Sequence, residues 1–209
     1  MVDDNPSKHS RPAKLRTYPE LSRYATDMTA QARQRPTKPL VDNSAAVERA
    51  LIILSGRKRN PLLIEEASLD TRAIAEGVAR RIAAGKVPSG LLNKRLFSLN
   101  IDALFAGLKT SSDVDVRLKA VFDEAVTADV ILFLDQLYQF AGSRASRSAS
   151  ESLKETLARG DLLVIGATSR EAYEQHIAGD VSLSRIFQTV RATENTESIA
   201  AVSAELRRT

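Results

Sequence analysis

Apolar positions along this 209-residue chain fall into two alternating rhythms. Short, nearly continuous apolar runs occur at "LLI" (62–64), "RLFSLNI" (95–101), "DVILFLD" (129–135), "LLVIGAT" (162–168) and "FQTVRA" (187–192). Such runs are expected for strands covered on both faces. Between them, apolar residues recur every three or four positions, which is the spacing of one helix face. Ser44 can cap one such stretch, with Val47, Ala50, Leu51 and Leu54 on a common side. A second covers 71–84, with Ile74, Val78 and Ile82 inward, and Gly85 then Pro88 ending it. A third covers 115–128, its period set by Val116, Leu118, Lys119, Val121 and Phe122. Further helices are expected over 148–159, over 171–176 and from Glu197 onward. Ahead of all these, a short helix over 21–33 is stopped by Pro36 and Pro39. Strands alternating with amphipathic helices predict an α/β three-layer sandwich: a mostly parallel five-stranded sheet with helices on both faces.

Composition narrows the chemistry. At 43% hydrophobic and 27% charged, the chain reads as a soluble globular protein. It has no cysteine, so thiolate metal sites and disulfides are excluded. Two distant histidines, His9 and His176, leave neither a histidine metal site nor a Ser-His-Asp triad to propose, and His176 reads as an exposed helix-end residue. No metal is expected. The polar start lacks an apolar signal region, and no run is long enough to span a membrane, so the expected location is cytoplasmic.

The charge is placed unevenly. Residues 1–41 carry eight basic against four acidic side chains, which accounts for the whole net charge of +4. These residues are expected to form a basic, partly disordered arm. A nucleic-acid accessory role for that arm is one alternative. It has only Tyr18 and Tyr24 as aromatic neighbours and no repeated stacking pattern, so a solvated arm is the preferred reading. The low-complexity "SRASRSASES" at 143–152 is expected to be a loop running into a helix.

The stretch "NPLLIEEASLDTRAIAEGVARRI" (60–82) begins as a nucleotide-binding domain begins, with a strand, and ends as such a unit ends, with a helix. Between them stand Glu65, Glu66, Ala67, Ser68, Leu69, Asp70, Thr71 and Arg72, without a glycine or a lysine. Seven ordered stretches resemble the large subdomain of the first AAA+ module in the ClpA/ClpB/ClpC unfoldases: "YATDMTAQAR", "AAVERALIILSGRKRNPLLI", "AIAEGVARRIAAGKVPSGL", "LNIDALFAGLK", "VILFLDQL", "LARGDLLVIGATSREAY" and "SLSRIFQTV". The resemblance implies a P-loop NTPase fold of AAA+ type over 42–209, without the helical small subdomain, preceded by the arm over 1–41.

The same resemblance makes the departures legible. The family's phosphate loop reads GEPGVGKT, so its glycines fall on Glu65, Ser68 and Asp70, its lysine on Thr71 and its magnesium-binding threonine on Arg72. Backbone N–H groups cradle phosphate where glycines let the chain curl closely around it. A carboxylate 4 Å from a phosphate charge would instead repel it by about 4 kcal/mol at an effective dielectric of 20. The family's Asp-Glu pair is Asp135-Gln136 here, and an amide cannot accept the water's proton. Thr168 matches the polar sensor position. Arg185 matches one of two paired arginines that serve as arginine fingers, the other being Ile186. Thr110, Ser111 and Ser112 replace the aromatic substrate-gripping loop.

No catalytic residue and no cofactor are therefore expected. The preferred reading is an inactive Clp-like pseudo-ATPase that binds protein, with an active AAA+ subunit as the partner the resemblance suggests. A monomer or dimer is expected rather than a homohexamer. The alternative is a subunit that still binds ATP and magnesium weakly.

Overall fold

A computed structural model of the chain describes residues 18–34, 44–65, 70–140 and 147–190. Its five parallel strands are those the apolar runs predict: β2 (Asn60–Glu65), β3 (Leu96–Leu99), β4 (Ile131–Leu134), β5 (Leu163–Ser169) and β6 (Phe187–Val190). A sixth, β1 (Ala25–Asp27), joins antiparallel to β3 and gives the order β1-β3-β4-β5-β2-β6.

The period of two along each strand sorts the core into two layers. One holds Leu62, Ile64, Phe97, Leu99, Leu132, Leu134 and Val164 against helices α1 (Pro19–Tyr24), α5 (Ile101–Phe105), α6 (Ser111–Ala128), α7 (Arg147–Arg159) and α9 (Val181–Ile186). The other holds Leu63, Leu96, Ile131, Phe133, Leu163, Ile165 and Ala167 against α2 (Met28–Gln34), α3 (Ser44–Gly56) and α4 (Thr71–Ala83). Ile74, Val78 and Ile82 of α4 are buried as their spacing requires. The remaining helix, α8 (Arg170–His176), follows β5 directly.

The structure corrects the sequence reading in three places. The expected helix over 21–33 is two helices with β1 between them, because pairing with β3 outweighs local helical periodicity. Residues 18–34 are also not part of a free arm. Tyr18 packs edge-on against Phe97 with the Arg95 guanidinium 5.0 Å from its ring, Leu21 is fully buried, and the Thr29 hydroxyl accepts the Leu96 N–H at 2.8 Å. Tyr24 lies beneath the Arg117 guanidinium. Finally, α6 starts at Ser111 rather than Asp115, and Val116 is 69% exposed. Its buried stripe is Leu118, Val121, Phe122 and Ala125. The rest of the basic arm, the loop start at 143–146, the end of the "FQTVRA" run and the helix expected from Glu197 lie outside the described residues.

Candidate functional site

In an open parallel sheet, ligands are held where the carboxyl ends of the central strands meet helix N-termini. Here those strands are β4, β5 and β2, side by side, with Ile64 paired to Thr168, Glu65 to Ser169, and Leu134 to Gly166. The fold thus brings Glu65, Asp70, Thr71, Asp135, Gln136 and Thr168 to one edge. Glu66 and Ser68 fall within 66–69, outside the described residues.

The N-terminus of α4 decides how that edge behaves. Asp70 is its N-cap, and one carboxylate oxygen accepts the Ala73 N–H at 2.9 Å. The first turn of a helix offers unpaired N–H donors and a positive dipole end, the pair of features that holds a phosphate. In this chain that end already has an anion, supplied by the residue that caps it. Thr71, at the lysine position, is buried. Arg72 is exposed and points along the helix to Glu76, 3.6 Å away.

The end of β4 is held just as locally. Asp135 is half-buried. Gln136 adopts a left-handed conformation (φ 61°, ψ 51°), and its side-chain oxygen accepts from the Gln139 amide and, at 3.5 Å, from the Tyr138 hydroxyl. Tyr138 stacks on His176, their centroids 5.9 Å apart and their planes 16° from parallel, so the histidine is exposed as expected but not idle. Thr168 is buried and its hydroxyl donates to the Ser169 carbonyl at 3.3 Å. The sequence reading missed the Asp70 cap and the Tyr138–His176 stack. An Asp directly before a helix start was signal enough for the first; nothing local announces the second.

Arg185 does not join this group. It lies on α9, just before β6 begins, whereas the cluster lies where the strands end. Its helix is fixed firmly. Asp180 caps α9 through the N–H groups of Ser182 (2.8 Å) and Leu183 (3.0 Å), and Lys154 of α7 donates to Asp180 at 2.8 Å. Partial burial pushes the Asp180 carboxyl up, but the Lys154 ammonium and the two N–H donors outweigh it and leave it below the usual carboxylate range. Asp180 in turn raises Lys154 above the ordinary lysine value, against partial burial.

The segment expected to replace the substrate-gripping loop is a helix start. Thr110 accepts the Asp113 N–H and Asp113 accepts the Thr110 N–H, both at 3.1 Å, a reciprocal capping box. The Thr110 hydrogen bonds and the capping geometry hold the Asp113 carboxyl below its ordinary value.

Comparison with known proteins fits this geometry. The chain is 41% identical to chaperone protein ClpB 1 of Parasynechococcus marenigrum over 186 residues, which is 86% of this chain and 22% of that protein. The yeast Hsp104–ADP complex superposes with a TM-score of 0.72 at 35% identity, covering 89% of this chain and 33% of the Hsp104 chain. A closed-state Hsp104 with ATPγS and FITC casein gives 0.74 at 37% identity, covering 90% and 34%. The chain is a Clp-type AAA+ relative. It spans about a fifth of the length of the curated relatives it matches. No protein-family model matches it.

Proposed function

We propose that this Clp-type AAA+ relative is a pseudo-ATPase that acts by binding protein. The observation that carries the reading is the Asp70 carboxylate on the α4 N-terminus, with Thr71 where the family has a lysine. A triphosphate entering in the family's pose would have to displace that cap and approach Glu65 as well. Gln136 supplies no general base even if nucleotide arrives. What persists is the two-layered core, on which an outer surface for binding another protein can still be displayed. An active AAA+ subunit is the partner such surfaces suit. The retained Asp135 and Thr168 favour one rival, a weak binder of ATP and magnesium.

Titration with millimolar ATP and magnesium separates the two, because a ligand raises the stability of the state it binds. The expected result is an unchanged Tm and no phosphate release. A variant carrying GEPGVGKT at 65–72 together with Gln136→Glu is expected to gain ATP binding on the same scaffold. A rise in Tm of several degrees for the natural sequence would overturn the pseudo-ATPase reading.

A further inference from the structure

A cleft of about 250 Å³ opens between α8, α9 and β6. It lies toward the start of β2 and β6, away from the Asp70–Gln136 edge. Its floor is apolar: Leu62, Ile177, Leu183 and Phe187, all buried. Its rim carries the Tyr173 phenol, Ser184, Gln188 and Thr189. Among the lining residues the single charged group is Arg59, which is exposed and has no ion-pair partner among the described residues. Arg57 and Lys58, also exposed, precede it in the same turn.

A second observation points to the shape of an occupant. β6 is the last strand of the sheet, with β2 on one side and no strand on the other among the described residues. Three consecutive residues of that edge, Phe187, Gln188 and Thr189, line the cleft. An open strand edge offers a row of N–H and C=O groups that an extended segment can pair with, while a neighbouring pocket takes an alternate side chain.

We propose that β6 and this cleft form a docking site for an extended segment of a partner protein carrying a bulky apolar residue next to an acidic one. The segment adds as a strand beside β6. Its apolar side chain enters over Leu183 and Phe187, and its carboxylate pairs with Arg59. The charge sets the choice, since a basic segment would meet the Arg59 guanidinium in the lining of the cleft. This deepens the protein-binding reading by giving it a surface and a class of partner.

The test is an array of hexapeptides with a central leucine or phenylalanine flanked by aspartate or glutamate. It is set against the same array with lysine in the flanking positions, and probed with the full chain. The acidic set is expected to bind at least tenfold more tightly. Arg59→Glu is expected to abolish that preference, and Ser184→Trp, which fills the cleft from the exposed face of α9, to weaken both sets tenfold. Each variant is first matched to the unaltered chain by its thermal unfolding. Equal binding of the two arrays, or binding indifferent to both substitutions, overturns the proposal. Because ATP titration reads the other edge of the sheet, failure of the pseudo-ATPase reading and failure of this site are told apart.

Discussion

Single residues carry sharp expectations. Gly166 lies in β5 where an added Cβ would sit 3.0 Å from the Leu137 side chain and 3.2 Å from those of Leu62 and Phe187. Three walls cannot all yield, so Gly166→Ala is expected to cost about 1–3 kcal/mol, read as a lower urea midpoint at unchanged slope. Asp70 tests the cap. Asp70→Ala is expected to cost about 1 kcal/mol and Asp70→Gly only a few tenths, since glycine tolerates the capping position. Equal losses in the two variants would show that the carboxylate is not what ends the helix. Both residues stand in the printed sequence, yet only one was readable there. An Asp before a helix start signals itself, whereas the crowding around Gly166 comes from residues 21 and more positions away along the chain.

At the scale of elements, the Lys154–Asp180 pair ties α7 to α9 and its pH behaviour follows from the two shifts. The lowered Asp180 pKa means its contribution is fully present above the unfolded value of about 3.9 and is lost as pH falls through the folded one. The raised Lys154 pKa means its contribution is complete below about 10.4 and is lost as pH rises through the folded value. Stability is therefore expected to stay flat in this pair between those limits and to decline below about pH 4. Asp180→Ala should flatten that acid decline while lowering stability at pH 7 by about 1–2 kcal/mol through the lost cap. An acid limb identical in the variant would remove the pair from the account. The β1 edge makes a second element-level case. Removing residues 1–27 strips Tyr18 and Leu21 from the core, at roughly 3 kcal/mol or more for the two side chains. A truncated chain with an unaltered unfolding midpoint would contradict that packing.

For the whole molecule, the sheet order places Glu65, Asp70, the end of β4 and Thr168 on one edge, and places Arg185 near the opposite one. A subunit of this design could present Arg185 outward to a neighbour while its own crevice stays without nucleotide. With no nucleotide bound, as proposed, the chain is expected to run as a monomer or dimer in light scattering, with or without added ATP. A nucleotide-dependent hexamer would count against the proposed function.

The apolar runs fixed the five parallel strands, and the helical periods fixed α3, α4, α6 and α7 to within a few residues, because burial on both faces or on one face is a local pattern. Sequence likewise shows which side chains stand at 65–72 and at 136, without a glycine or a lysine in the first and with an amide in the second, since residue identity is the same in any fold. Tertiary structure alone decided that residues 25–27 form a strand, that the two tyrosines of the basic segment are pinned by Phe97 and Arg117, and that Arg59 stands at the mouth of an apolar cleft. Each of these depends on partners far away in sequence. Pairing energy that arrives from β3, or walls contributed by α8 and α9, has no trace in the residues it acts on.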